Sequence, residues 1–260
     1  MNMKSMMKDG RKYLAEMAGT LLFTLVGFGA LVIAATGQLT GFTTTLLFPL
    51  AFGLAVAAVI YIFGSISGAH INPAVSLGFA LRKKLSWKDC AFYMIAQVLG
   101  AIAGVAILFG LYKLMTGGAA FRFGNTYSHI GPRTVNGLLS VLIIEIVMTY
   151  VFVLAWMGIV RKVDNKTIAG LVIGLLFAAL MLTGATLNPA LNLGNAIFSC
   201  FRNAAAIKEV WVYLVGPLVG GALGALMACC LFKGEDRDEV GTKAAPKIAD
   251  VSPAAGKVRR

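Results

Sequence analysis

Gly68-Ala69-His70-Ile71-Asn72-Pro73-Ala74-Val75-Ser76-Leu77-Gly78 decides the fold, because Gly184-Ala185-Thr186-Leu187-Asn188-Pro189-Ala190-Leu191-Asn192-Leu193-Gly194 repeats its form in the second half of the chain. In each copy Asn stands at a helix N-cap and Pro at the first helical position, where the absent N–H costs nothing and φ is already helical. Each copy therefore starts a helix. From Asn72 the apolar run reaches only to Arg82, and about ten residues at the helical rise make about 15 Å, half of a hydrocarbon core. Such a helix cannot span. Inside a bilayer, irregular backbone leading into it is tolerated only where it is buried in protein or lines a wet cavity. Two capped half-helices, each with N–H groups, a positive dipole end and an Asn side chain, imply a polar track at mid-membrane.

The surroundings of both copies are those of a membrane protein. The 260-residue chain is 58% hydrophobic and 13% charged, where a soluble domain carries roughly a quarter. No Asp, Glu, Lys or Arg occurs in 17–81, 90–112, 167–201 or 210–232, and 134–160 holds only Glu145. These runs predict an all-α membrane protein with six transmembrane helices: 12–35, 45–63, 87–112, 134–160, 167–181 and 210–232. The segments 64–71 and 182–187 lead into the half-helices. The third span is rich in small residues (Gly100, Ala101, Ala103, Gly104) that permit close helix packing.

A formal charge of +12 would suit a nucleic-acid binder, but its placement argues otherwise. Lys4, Lys8, Arg11 and Lys12 precede the first span, and Arg82, Lys83, Lys84 and Lys88 follow the first half-helix. Arg161, Lys162 and Lys166 join the fourth and fifth spans, and a further group occupies the tail. Lys113, Arg122, Arg133, Arg202 and Lys208 are left for the alternate loops. The positive-inside rule then places both termini in the cytoplasm, in a multi-pass protein of the cell membrane with the bilayer as partner and no nucleic acid. Contact of the basic tail with anionic lipid stays open. The basic start runs into a span too long for the h-region of a cleavable signal. Cys90, Cys200, Cys229 and Cys230 have no metal-ligand spacing and read as free, buried thiols. Ser86, beside Arg82–Lys84, reads as part of a solvated basic loop.

The two halves correspond beyond the repeated stretch. Glu16-x-x-x-Thr20 opens the first span and Glu145-x-x-x-Thr149 lies in the fourth; Gln97-x-x-Gly100-Ala101 answers Gly216-Pro217-x-x-Gly220-Gly221. Three spans per half is an odd number, so the halves cross in opposite directions. The result is an inverted repeat, its half-helices entering from opposite faces and meeting near the centre. The expected division is a cytoplasmic lead at 1–11, a channel domain at 12–232 with halves 12–112 and 134–232, and a disordered cytoplasmic tail at 233–260, rich in Ala, Pro and charge. The loop 113–133, with Gly117, Gly118, Gly124 and Pro132, is expected outside and irregular.

Over residues 10–232 the sequence resembles the aquaporin and glycerol-facilitator family, the major intrinsic proteins. The carriers are Ala15-Glu16-Met17-Ala18-Gly19-Thr20, Ser67-Gly68-Ala69-His70-Ile71-Asn72-Pro73-Ala74-Val75, Ala96-Gln97-x-x-Gly100-Ala101, Asn188-Pro189-Ala190 and Val215-Gly216-Pro217. The resemblance implies an aquaporin-like fold of six spans and two re-entrant half-helices around a pore in each subunit of a homotetramer. It implies that Asn72-Pro73-Ala74 and Asn188-Pro189-Ala190 form the pore centre, where both asparagines donate to a passing oxygen and break a proton relay while the helix dipoles repel cations. Glu16 and Glu145 match the family's buried glutamates, which hold the re-entrant loops through backbone N–H groups; a proton relay would need a second ionisable partner, and neither span has one. His70 matches a loop histidine at the cytoplasmic side of the pore, either lining it or satisfied within the loop.

One departure stands out. Family members usually have Arg after the second Asn-Pro-Ala, and here that position is Leu191. With Phe52, Ala185 and Met181 at the other mapped positions, the outer selectivity filter has no side-chain donor, so it can gate by dewetting or admit larger neutral solutes. Met181 is mapped across a segment shorter than is usual in the family, so its neighbour remains an alternative. Arg122, Arg133 or Arg202 folding over the mouth is the competing arrangement. Asn192 and Tyr213-Leu214 give mixed signals between the water and glycerol branches. The expected function is a passive channel for water, glycerol-like polyols or other small neutral molecules, needing no cofactor or metal. A secondary transporter, a weakly ion-conducting relative and a closed-pore structural homologue are the alternatives. His70 and His129, far apart and without a nucleophile or metal-spaced cluster, argue against an enzyme.

Overall fold

The computed structural model of the chain describes residues 3–35, 42–115, 135–163, 165–199 and 205–232. Most of the expected outer loop, the arginines Arg122, Arg133 and Arg202, and the tail at 233–260 lie outside the described residues. The described helices are α1 (Met3–Ala35), α2 (Phe42–Ser67), α3 (Pro73–Leu81), α4 (Trp87–Met115), α5 (Val135–Lys162), α6 (Lys166–Met181), α7 (Pro189–Ser199), α8 (Ala205–Glu209) and α9 (Trp211–Leu231). The half-helices α3 and α7 begin at the prolines of the repeated stretch.

Among the described residues, five spans are long and apolar enough to cross a bilayer: Gly10–Ala30, Thr45–Ser67, Trp87–Met115, Val135–Lys162 and Ala206–Leu231. The sixth crossing element, α6, has 16 residues, about 24 Å at the helical rise and so shorter than a ~30 Å hydrocarbon core. It ends in a tight turn in which Thr183 and Gly184 donate to the carbonyls of Leu180 and Met181. Several boundaries differ from expectation, two of them by more than three residues. α1 already begins at Met3, within the expected lead, and α2 continues four residues beyond 63. Gly64 does not break α2, because its carbonyl accepts the Gly68 N–H at 3.2 Å, and the chain turns out of the helix only at Gly68, where φ is +89°. The short α8 has no periodic signal in the sequence.

The inverted repeat is visible in the packing. α1 lies along α4 as α5 lies along α9, α4 covers α7 as α9 covers α3, and α2 meets its counterpart α6. Small residues set these seams. A Cβ on Gly53 would strike the Gly174 carbonyl, and one on Gly174 the Gly53 carbonyl, so α2 and α6 touch backbone to backbone across the centre. A Cβ on Gly221 would come 2.7 Å from the Ala74 carbonyl, which fixes α9 against α3. At the start of α4, Ser86 Oγ accepts the Asp89 N–H at 3.0 Å, the N-cap arrangement; this assigns the serine of the basic loop a structural task. Asp89 also accepts from Tyr13 Oη at 2.7 Å and pairs with Lys12 at 2.9 Å, tying α1 to α4. Cys90 is buried and free, but Cys229 and Cys230 are exposed, against the expectation of burial. Both lie on the last turns of α9, beyond the small-residue seam that packs it against α5 and α3.

Candidate functional site

The two half-helices meet head to head. Asn72 caps α3 from an extended conformation, φ −153° and ψ 120°, its side-chain oxygen accepting the Ala74 N–H at 2.8 Å. Asn188 does the same for α7, accepting from Ala190 at 3.0 Å and Leu191 at 3.3 Å. The side-chain nitrogens then cross: Asn72 Nδ2 donates to the Leu187 carbonyl and Asn188 Nδ2 to the Ile71 carbonyl, both at 2.8 Å. A carboxamide nitrogen carries two hydrogens, so each asparagine spends one on the opposite loop and has a second to offer. The positive ends of both helix dipoles are brought to the same place.

Holding two loops in this shape requires unusual backbone. Gly68 and Gly184, four residues before each Asn, have φ of +89° and +91°; Ile71 and Leu187, immediately before it, have +45° and +62°. A left-handed non-glycine residue costs about 1–2 kcal/mol, and a β-branched Ile there is rarer still. Buried carboxylates offset that strain. Glu16, on α1, accepts His70 N–H at 3.0 Å and Ser67 Oγ–H at 2.6 Å on one oxygen, and Ile71 N–H at 2.7 Å and Gln97 Nε2–H at 2.8 Å on the other. Glu145, on α5, accepts Thr186 N–H at 2.7 Å and Thr186 Oγ1–H at 2.5 Å on one oxygen, and Leu187 N–H at 2.9 Å on the other. Each carboxylate thus takes the two backbone N–H groups that precede an asparagine. Both are fully buried, and hydrogen bonds to a charged acceptor are worth about 1.5–3 kcal/mol each.

Around this frame the halves diverge. On the α3 side, His70 Nδ1 lies 3.1 Å from Ser76 Oγ, and Gln97 Nε2 donates to Ser76 at 2.9 Å. The His70 ring stacks on Phe79, centroids 4.7 Å apart, and meets Tyr93 edge-on at 5.4 Å. His70 is fully buried, its ring held by side chains of α3 and α4. On the α7 side, Asn192 Nδ2 donates to Thr186 Oγ1 at 2.5 Å and to the Asn188 carbonyl at 2.9 Å. Gln97, Ser76, Thr186 and Asn192 were not singled out as site residues by the sequence reading. The signal was their place in the repeat: Ser76 and Asn192 each stand four residues after an Asn, one turn along the same helix face.

The four mapped filter residues share one continuous core. Phe52 is wholly buried, Ala185 and Leu191 are 1% exposed, and Met181, the last residue of α6, is 5% exposed. The Phe52 ring lies in a slot on α1 that exists only because residue 27 is glycine; a Cβ there would overlap the ring. Phe23, Phe28 and Phe48 close around it, with centroids at 4.9, 5.3 and 5.0 Å. The spacing of Gly27 to its partner, across two helices, gave no sequence signal.

Comparison with known proteins bears on the family and the fold. The sequence model of the major intrinsic protein family matches residues 3–228. The chain is 39% identical over 226 residues to Aquaporin Z of Rhodopseudomonas palustris, covering 83% of this chain and 91% of the relative. It is 35% identical over 224 residues to the glycerol uptake facilitator protein-like 6 of Lactiplantibacillus plantarum, covering 84% and 96%. Among solved structures it is similar to the aquaglyceroporin from Plasmodium falciparum, with a TM-score of 0.75 at 25% identity, covering 86% of this chain and 97% of that one.

Proposed function

Because the chain belongs to the major intrinsic protein family, we infer that it is a passive channel for water and glycerol-like solutes, and we propose that the solute path runs between Asn72 and Asn188. The crossed carboxamides carry this reading. Each has one N–H committed to the opposite loop and one available to an oxygen of a passing solute, at the point where two helix dipoles present positive ends. A solute oxygen that accepts from both asparagines cannot pass a proton onward. Cations meet the dipoles, and neutral molecules carrying an oxygen acceptor are favoured.

Within this reading Phe52, Met181, Ala185 and Leu191 form the outer ring. None of the four carries a side-chain hydrogen-bond donor, so a solute crossing there replaces its hydration with backbone carbonyls alone. Residues 12–232 act as the channel domain, with the basic loops and both termini on the cytoplasmic side of the cell membrane and four copies forming the assembly. The test is stopped-flow light scattering on proteoliposomes, comparing water, glycerol and a larger polyol in one preparation. Shrinkage followed by glycerol re-swelling faster than in empty vesicles is the expected result. Protein-containing vesicles that behave as empty ones toward every solute would overturn the channel reading, and proton conductance above that of empty vesicles would overturn the role given to the asparagines.

A further inference from the structure

We propose that Phe23, Phe152 and Phe177 form a second constriction, inward of the outer ring, and that these phenylalanines set how fast water passes. The proposal rests on the solute path described above. Phe23 lies seven residues after Glu16, and Phe152 seven after Glu145, two helical turns further along the same faces of α1 and α5. Those faces look inward, since both carboxylates are bonded to the re-entrant loops. Because α1 and α5 run in opposite directions, the two phenylalanines approach each other from opposite sides of the membrane. Phe177 lies one turn before Met181 on α6, on the face that carries the ring residue.

The rings meet. Phe23 stands 4.9 Å from Phe52 and 5.6 Å from Phe177, and Phe152 stands 5.2 Å from Phe177, all edge to face. This makes one aromatic chain from α2 through α1 and α6 to α5. It shares its core with Ile71 and Leu187, whose carbonyls receive the crossed asparagines. Phe23 has no solvent-accessible surface, Phe152 and Phe177 have 1%, and Asn72 and Asn188 have 2% and 1%. A wide bore would leave such lining accessible, so in this conformation the path is narrow at its centre. Passage requires the phenyl rings to swing aside, and an apolar constriction of this kind resists wetting.

The experiment uses the full chain in proteoliposomes, with water and glycerol flux measured per folded protein for Phe152→Leu, Phe177→Leu, Phe177→Trp and, as control, Phe109→Leu, whose ring packs with Phe198 between α4 and α7 at 5.8 Å. Both Leu variants are expected to raise water permeability about fivefold, the factor that follows from lowering a barrier by about 1 kcal/mol, and Phe177→Trp to lower it. The control stays at the parental rate. Leu and Trp variants that all conduct water at the parental rate would overturn the constriction while leaving the channel reading intact. Absence of flux above empty vesicles in the parent and in every variant would overturn both. The changes fall on two helices and in both directions of size, so a single variant that fails to fold leaves the others to decide.

Discussion

Replacing Glu145 by Gln removes one acceptor from a site in which three donors meet two oxygens. Whichever way the amide is turned, its NH2 group faces a backbone N–H, either that of Leu187 or that of Thr186, which now stand 2.9 and 2.7 Å from carboxylate oxygens. One bond to a charged acceptor is lost, at about 1.5–3 kcal/mol, and the remaining ones fall toward the neutral value of about 0.5–1.5 kcal/mol. The sum is a loss of about 4 kcal/mol of stability. It falls on a loop whose Leu187 is held at φ +62°, so relaxing the backbone there is the easiest response. The Leu187 carbonyl then leaves Asn72 Nδ2, its partner at 2.8 Å, and one asparagine loses its orientation. Glu145→Gln is therefore expected to lower the thermal unfolding midpoint in detergent and the solute flux in vesicles together. A Glu145→Gln protein that unfolds at the parental temperature, or one that is destabilised yet conducts at the parental rate, would refute the link from carboxylate to loop to asparagine.

Two further changes probe the outer ring. Leu191→Arg puts a donor and a charge beside Asn188 and is expected to raise water flux relative to larger solutes, with glycerol-to-water permeability ratios as the readout; an unchanged ratio would remove Leu191 from the filter. Gly27→Ala forces the Phe52 ring out of its slot. It should lower stability by about 1–3 kcal/mol, as overpacking does, and alter flux, whereas parental flux in the folded variant would mean that Phe52 does not face the path.

What the sequence could declare was local. Asn followed by Pro fixes a capped helix start within a few residues, so the half-helices and their duplication were legible from 68–78 and 184–194 alone, and the shortness of the first from the apolar run that stops at Arg82. Charge-free runs gave the crossing helices, because burying charge in lipid is costly along the whole length of a span. Contacts that join residues far apart in sequence were not legible. The bond from Asn72 to the carbonyl of Leu187 spans 115 positions, and the slot at Gly27 is visible only once α2 is laid against α1. The end of α2 is not legible from the sequence, because Gly64 looks like a helix breaker in isolation, while the turn is made four residues later by Gly68. The exposure of Cys229 and Cys230 is not legible either, because an apolar span has no sequence mark for its outward face.

The repeat also separates what builds the channel from what discriminates in it. Residues that hold the loops recur unchanged: Glu16 and Glu145, Gly68 and Gly184, Asn72 and Asn188, Pro73 and Pro189. Residues beside them do not, since His70, Ser76 and Gln97 answer to Thr186, Asn192 and Pro217. The position after each Asn-Pro-Ala is an exception. Val75 and Leu191 are both aliphatic and both buried, so the chain is symmetric at the place where its resemblance to the family leads one to expect a single arginine. No side-chain charge at that position can then discriminate between solutes. In the reading proposed above, selection by size falls to rings and methyl groups, from Phe52 and Met181 to Phe152 and Phe177. In the same reading, selection against ions falls to the two asparagines and the helix ends behind them, and so to the two glutamates that keep those ends in register.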